Sequence, residues 1–221
     1  MTHRRIVAIT ILAGLFSAWG LVGAARAESP ANDPAEKSLF DGQTLKGWKK
    51  TQFGGEAEIE VKEGRIVMRA GSPITGITWT EAFPKIDYEI SLEAMRVDGS
   101  DFFCGLTFPV GESPCSFIVG GWGGGVVGLS SIDGSDASEN ETTKYMEFKS
   151  GRWYLVQVRV SKDKIEAWID KLQMVNLATK DRRISIRSEV ELSRPLGISC
   201  FATTAALREI KVRSLGDEKS K

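Results

Sequence analysis

The sequence predicts an all-β protein, a sandwich of two antiparallel sheets. From Glu58 onward, apolar and polar residues alternate with a period of two, as they do in half-buried strands. Clusters of Gly, Pro, Asn, Asp and Ser separate at least ten such short segments along the chain. No stretch with the 3.6-residue period of a helix runs longer than about two turns. Many short strands divided by turn signals are typical of a two-sheet sandwich.

The first 27 residues predict an export signal. Arg4 and Arg5 form a basic start, an uncharged run follows from Ile6 to Ala25, and Ala25-Arg26-Ala27 is a small-x-small cleavage site. Residues 28–37 are polar and contain proline, which indicates a flexible leader. The sandwich domain is predicted over residues 38–215, and residues 216–221 form a tail. The mature protein is therefore expected in the periplasm or outside the cell, with no membrane contact after cleavage.

The strands follow in order. Residues 58–62 and 65–69 are joined by Glu63-Gly64, a short hairpin signal. The later segments share the alternating pattern of a strand with one buried face, and they cover residues 87–97, 154–160, 165–169, 196–201 and 207–212. In the third of these segments, residues 165–169, Ile165, Ala167 and Ile169 are expected to point inward, which places Trp168 on the opposite face.

Charge and histidine content exclude several classes of function. The chain carries 29 basic and 29 acidic residues, and the signal removes three arginines, so the mature net charge is about −3. This balance gives no reason to expect a nucleic-acid partner. The sole histidine, His3, leaves with the signal. Without imidazole there is no histidine-based triad and no histidine-ligated metal, so catalysis depends on other groups such as carboxylates. Asp133, Asp136 and Asn140 offer oxygen ligands suited to Ca²⁺, but their spacing matches no calcium loop, and neither a metal nor a cofactor is predicted.

The cysteines predict one disulfide. Cys104 and Cys115 flank residues 107–114, whose two prolines and one glycine indicate a hairpin turn. In an oxidising compartment, a Cys104–Cys115 bridge across that turn is expected. Cys200 lies in an apolar strand and is expected to be a small buried hydrophobe.

The segment from Asp101 to Glu141 is the main candidate for a binding site. Trp122 lies within a run of glycines, which suits a tight stretch of sheet or loop that a ligand or another backbone approaches closely. These glycines are expected to leave the indole ring uncovered by neighbouring side chains. The acidic loop after it, residues 133–141, supplies the carboxylates of Asp133, Asp136, Glu139 and Glu141 and the amide of Asn140. An indole beside such groups is how proteins commonly bind a sugar. Alternatively, Trp122 covers a sheet edge and the loop is simply solvated.

Three further residues are candidates for binding a saccharide. Trp79 lies between two threonines and could stack on a sugar ring. Trp168 shares a face with Glu166, which could belong to a ligand groove. The planar guanidinium of Arg65 could donate hydrogen bonds to sugar hydroxyl groups. Trp168 and Arg65 also have a plainer interpretation, in which Trp168 faces solvent and Arg65 is a solvated charge of the hairpin. Trp48 and Trp153 are expected to pack in the core.

Carboxylates are the candidates for catalysis. Glycoside cleavage commonly uses a pair of them, one protonated and one ionised. Asp101 begins the central strand, and Glu139 and Glu141, two residues apart, would share one side of an extended segment. Two acids in a loop are also common without any catalytic role.

Motifs spread along the chain resemble one known family. The opening Leu39-Phe40-Asp41-Gly42 with Gly47-Trp48 is similar to the first motif of the 3-keto-disaccharide hydrolase domain family. Further similar segments cover the hairpins and the closing strands, at residues 63–66, 79–80, 87–93, 151–154, 165–170, 195–198 and 207–212. The resemblance implies a concanavalin-like jelly-roll sandwich whose concave face meets saccharides, and an activity on 3-keto-glycosides.

The chain departs from that family at the strand after the central hairpin. Many members carry a glutamate and a glutamine there, whereas this chain has the segment 115–122 without either. Two functions are therefore expected from the sequence. One is an exported enzyme that cleaves a keto-sugar or a glycosidic bond with carboxylates. The other is a non-catalytic module that binds a saccharide or another surface.

Cleavage of the signal gives the first testable prediction. Because Ala25-Arg26-Ala27 ends an apolar run with a basic start, mass spectrometry of the exported protein should find Glu28 at the N-terminus. An exported protein that retained Met1 would contradict it.

Overall fold

The computed structural model describes residues 36–216, so the predicted signal, most of the leader and nearly all of the tail lie outside the described residues. In chain order the strands are β1 (Lys37–Ser38), β2 (Trp48–Lys50), β3 (Ile59–Lys62), β4 (Arg65–Met68), β5 (Ile74–Trp79), β6 (Tyr88–Gly99), β7 (Cys104–Val110), β8 (Ser113–Gly121), β9 (Val126–Ser130), β10 (Lys144–Tyr145), β11 (Trp153–Ser161), β12 (Lys164–Ile169), β13 (Leu172–Ala178), β14 (Gly197–Phe201) and β15 (Thr203–Ser214). A short 3₁₀ helix spans Ser188–Ser193.

The strands form two antiparallel sheets, which confirms the predicted two-sheet jelly-roll sandwich. Sheet A has the order β13-β12-β11-β6-β15-β4-β3, and β1 pairs with β15. Sheet B has the order β10-β9-β8-β7-β14-β5-β2. Within the described residues no helix has the length and apolar character needed to cross a bilayer.

The alternating pattern of the sequence sets the faces of the strands. In β11, Tyr154, Val156 and Val158 are buried, and in β12 Ile165 and Ala167 are buried opposite them. The predicted hairpin between β3 and β4 is also present. Glu63 and Gly64 both have positive φ (53° and 74°), as a type I′ turn requires.

The core lies between the inward faces of the two sheets. Its largest fully buried side chains include Tyr88 of sheet A and Phe108 and Phe117 of sheet B. The Tyr88 hydroxyl donates to the carbonyl oxygen of Pro109 at 2.6 Å, so the phenol ties the two sheets together without leaving a buried donor unpaired. Burial raises the pKa of Tyr88 well above its usual value.

The predicted Cys104–Cys115 disulfide is wrong, and all three cysteines are free and buried. The β7–β8 hairpin pairs Val110 with Ser113 and is therefore closed by a two-residue turn, although residues 107–114 had suggested a longer one. In this register Cys104 lies opposite Val119, and Cys115 lies opposite Phe108. The two thiols are offset by four residues, ~13 Å along the strands, which is beyond the reach of a disulfide.

Thiol reactivity tests this arrangement. Burial raises the pKa of Cys104, Cys115 and Cys200 to about 12 each, so almost no thiolate exists at pH 8. We expect iodoacetamide to leave the native mature protein unmodified and to add three groups after denaturation without reductant, as measured by intact mass. A single adduct on the denatured, unreduced protein would instead indicate a disulfide.

Candidate functional site

A groove with a cavity volume of about 500 Å³ lies on the outer face of sheet B. Residues Cys115, Phe117 and Val119 of β8 point into the core, so Ser116 and Ile118 point outward and form part of the groove floor. The same alternation brings outward-facing side chains from three other strands to the floor, at Ile74 of β5, Ser130 of β9 and Phe201 of β14.

Aromatic side chains dominate one part of the groove. Phe53, Phe102, Trp122 and Phe201 all line it, and the rings of Phe102 and Phe201 are tilted against each other at 5.8 Å between centroids. Trp122 is 44 % exposed, which is high for so large an apolar side chain. The groove therefore presents apolar ring surface to solvent at a concave site.

The turn between β8 and β9 sets the position of Trp122. Trp122 has φ +48°, a conformation that is uncommon for a residue with a bulky side chain. The turn is closed by Gly124 N–H, which donates to the carbonyl of Gly121 at 3.1 Å. As the sequence predicts, a glycine-rich segment with few neighbouring side chains leaves the indole uncovered.

Asp101 lies in the groove beside the Trp122 turn, so the fold brings these two predicted site residues together. Its Oδ1 accepts the N–H of Phe102 at 2.8 Å, and its Oδ2 accepts the N–H of Gly123 at 3.1 Å. Both carboxylate oxygens thus hold backbone, which fixes the turn relative to the start of β7.

A charged cluster forms another part of the groove. Arg187 and Glu189 both line it, and the Arg187 Nη2 donates to Glu189 Oε1 at 2.6 Å. Arg187 Nη1 also pairs with Asp136, whose Oδ1 accepts hydrogen bonds from Ser130 at 3.2 Å and Ser131 at 2.9 Å. The hydrogen bond from Arg187 is the largest cause that lowers the pKa of Glu189, so this carboxylate is ionised at neutral pH.

No sequence pattern indicates that Arg187 and Glu189 belong to the site. Both lie in the segment between β13 and β14, more than 60 residues beyond Trp122 in the chain. An alternating charge pattern such as Arg187-Ser188-Glu189 is ordinary for a solvated segment. Only the folding of that segment across the acidic loop brings it to the groove.

The acidic loop does not present the predicted pair Glu139 and Glu141 to the groove. Glu139 is exposed, and Glu141 forms an ion pair with Arg182. The expectation assumed an extended segment with both acids on one side. The loop instead turns twice. The Glu139 N–H donates to the backbone carbonyl of Asp136, and the Thr143 N–H donates to the backbone carbonyl of Asn140.

Asn140 organises this loop. Its Nδ2 donates to the carbonyl oxygens of Leu129 (2.7 Å), Ser135 (3.0 Å) and Asp136 (2.8 Å). Its Oδ1 accepts the N–H of Thr142 at 2.9 Å and the Thr142 hydroxyl at 2.6 Å. With both ends of the amide engaged by the protein, Asn140 has a structural role and does not line the groove.

The remaining predicted ligand-binding residues lie away from the groove. Trp79 is 5 % exposed and packs edge-on against Trp48, at 5.1 Å between ring centroids, because it shares the inward parity of Ile77. Arg65 is on the outer face of sheet A and pairs with Glu63 at 2.7 Å. Trp168 is on that same face, with the Arg159 guanidinium 5.4 Å from its ring centroid.

The described residues contain no group of three or more His, Cys, Asp and Glu side chains that could hold a metal ion. The charged and hydroxyl side chains that line the groove are Asp101, Arg187, Glu189, Ser72, Ser116 and Ser130.

Comparison with known proteins places this fold among carbohydrate-related domains. The sequence matches the 3-keto-alpha-glucoside-1,2-lyase-like domain over residues 35–213. No curated protein sequence gives a significant match.

Solved structures share the sandwich at low sequence identity. The apo Crh5 transglycosylase has a TM-score of 0.56 at 10 % identity, with 85 % of this chain and 86 % of that chain covered. The carbohydrate-binding module CBM66 from Bacillus subtilis has a TM-score of 0.51 at 12 % identity, covering 76 % and 96 %. Domain 4 of the arabinanase AbnA from Geobacillus stearothermophilus, in complex with arabinotriose, has a TM-score of 0.52 at 12 % identity, covering 82 % and 91 %. These similarities show the fold.

Proposed function

The chain belongs to the 3-keto-alpha-glucoside-1,2-lyase-like domain family, and from this premise we propose that the groove on sheet B binds a saccharide. The observation that carries the proposal is the groove itself. It combines about 500 Å³ of concave space, four aromatic side chains and a cluster of ionised and hydroxyl groups. Ligand pockets for small molecules typically occupy roughly 300–1,000 Å³. The predicted signal adds the proposal that binding takes place after export.

The two parts of the groove suit the two kinds of surface that a sugar presents. The C–H face of a pyranose ring is apolar and gains free energy when an aromatic ring covers it. Its hydroxyl groups need hydrogen-bond partners. Arg187 can donate hydrogen bonds to them, and Glu189 can accept hydrogen bonds from them. A sugar ligand is also consistent with the proteins that share this fold, such as the arabinanase domain in complex with arabinotriose.

Trp122→Ala tests saccharide binding. We expect this change to weaken binding of methyl 3-keto-α-glucoside by about 1–3 kcal/mol, the range for an aromatic anchor that the ligand buries. Because Trp122 is 44 % exposed, the melting temperature should change little. Isothermal titration calorimetry and a thermal scan measure the two effects.

Trp168→Ala is the matched control for Trp122→Ala. It removes an indole from the outer face of sheet A, where the sequence had also suggested binding, and it should leave the affinity unchanged. Loss of affinity in Trp168→Ala, with none in Trp122→Ala, would move the site to sheet A.

A second candidate function is cleavage of a 3-keto-glycoside, favoured by the ionised Glu189 beside Arg187. A ketone at C3 acidifies the hydrogen on C2. In the proposed reaction, Glu189 accepts that proton, the C1–O bond breaks, and the leaving oxygen takes a proton from water. Arg187 stabilises the negative charge that develops on the C3 oxygen. Addition of water across the new C1–C2 double bond completes a net hydrolysis.

Glu189→Gln tests the cleavage reaction. The amide keeps the size of the side chain but cannot accept the C2 proton, so turnover of a 3-keto-disaccharide should fall by roughly 10²-fold or more while binding persists. The measurement is release of the leaving sugar, followed by chromatography.

Glu191→Gln is the control for Glu189→Gln, because Glu191 lies on the same 3₁₀ helix and pairs with Arg194 outside the groove. It should retain full turnover. If the wild-type protein binds the sugar but never cleaves it, the groove serves binding alone.

A further inference from the structure

A buried arginine lies directly behind the groove. Arg96 belongs to β6 of sheet A, is 6 % exposed, and extends its guanidinium to the end of β8 in sheet B. Among residues 36–216 no carboxylate lies within ion-pair distance of it. Its guanidinium lies over the rings of Phe103 and Phe148, at 5.2 Å and 6.0 Å from the centroids.

The guanidinium binds backbone carbonyl groups. Nη2 donates to Gly124 at 2.9 Å, to Asp101 at 3.2 Å and to Gly120 at 3.3 Å, and Nη1 donates to Phe148 at 3.4 Å. Gly120 and Gly124 flank Trp122 in the turn, and Asp101 is the groove residue that holds the turn from its other side. One side chain therefore contacts the backbone on both sides of Trp122 and the backbone of Asp101.

The glycines of the turn make room for this contact. A Cβ at Gly120 would lie 2.7 Å from Arg96 Nη2, and a Cβ at Gly124 would lie 2.9 Å from the carbonyl oxygen of Ser100. The absence of a side chain at Gly120 thus has a physical cause in the arginine beneath it, and at Gly124 in the neighbouring carbonyl group of Ser100.

Burial of the Arg96 guanidinium is costly and lowers the pKa of Arg96, and the charge of the Asp101 carboxylate offsets only part of this effect. An apolar side chain would fill the same space at lower cost, but it could not hold carbonyl groups at fixed positions. A charged side chain at this position is explained if the Trp122 turn has to be held in one place.

We infer that Arg96 is a positioning residue, which sets Trp122 and Asp101 in their ligand-binding arrangement before a saccharide arrives. This inference rests on the proposed function of the groove. Arg96 acts only through the turn, since it contacts the carbonyl groups behind the groove and does not line it. Preorganisation of this kind removes the entropic cost of ordering a loop during binding.

Arg96→Lys tests the inference, because lysine keeps the charge but has a shorter side chain and a single nitrogen in place of the planar fork that bonds Gly124 from Nη2 and Phe148 from Nη1. We expect the Kd for methyl 3-keto-α-glucoside to rise about tenfold or more, since hydrogen bonds from a charged donor are lost. Arg159→Lys, a change of the same kind on the outer face of sheet A, should leave the Kd unchanged.

A double-mutant cycle separates positioning from general stability. If Arg96 acts through the Trp122 turn, Arg96→Lys should add little to the loss already caused by Trp122→Ala. Fully additive losses would overturn the inference, as would a lower melting temperature in Arg96→Lys with unchanged affinity.

Hydrogen exchange provides a readout that needs no ligand. In Arg96→Lys the amides of residues 121–125 should exchange about tenfold faster or more, while those of β11 keep their rates. Equal rates at the turn would overturn the inference. If the wild-type protein binds no methyl 3-keto-α-glucoside, that result counts against the proposed function, and exchange at the turn still decides the role of Arg96.

If Arg96→Lys does not fold, amide hydrogen exchange of the wild-type protein tests the inference instead. A turn that is already fixed should show the same protection at residues 121–125 with and without the sugar. A large gain in protection on binding would show that the turn is ordered by the ligand and would overturn the inference.

Discussion

The opposite directions of successive side chains in a strand are the constraint on which this structure depends. In β8 the side chains of Cys115, Phe117 and Val119 fill the core, and this leaves Ser116 and Ile118 on the outer face. The same separation holds in β5, β9 and β14. Sheet B thus supplies half of the core and the floor of the groove. A one-residue shift in the register of one of its strands would exchange that strand's core side chains with its groove side chains.

Loops around sheet B turn that floor into a groove, and arginines hold the loops in place. Arg96 fixes the Trp122 turn from below through backbone carbonyl groups. Arg182 and Arg187 join the acidic loop to the segment before β14 through Asp133, Asp136 and Glu141. Most carboxylates of the acidic loop are therefore engaged by the protein, which explains why this loop shapes the site without supplying its predicted catalytic pair.

The two proposed functions use the same groove and differ only in what Glu189 does. Saccharide binding needs the aromatic surface and hydrogen-bonding groups in a fixed arrangement. Cleavage needs in addition an ionised carboxylate close to a cation, and the pair of Glu189 with Arg187 meets that need. The departure of this chain from its family at the β8 strand does not remove carboxylates from the groove, because they arrive from other segments.

The sequence by itself determined the local features of this protein. Period-two alternation located the strands and their inward faces in β11 and β12, Glu63-Gly64 specified a hairpin, and the glycines around Trp122 indicated an uncovered indole. Motifs distributed along the chain identified the family, which the match over residues 35–213 confirms. These features depend on neighbours in the chain, so a linear pattern is enough to encode them.

Tertiary structure alone decided which of these segments meet. Trp79 lies in the core because of the sheet position of β5, Cys104 and Cys115 are separated by the register of one hairpin, and Arg187 reaches the groove from a distant segment. Arg65 and Trp168 lie on the other sheet for the same reason. Alternation tells which residues share a face, but it does not tell which face is covered, since that depends on long-range packing between strands far apart in the chain.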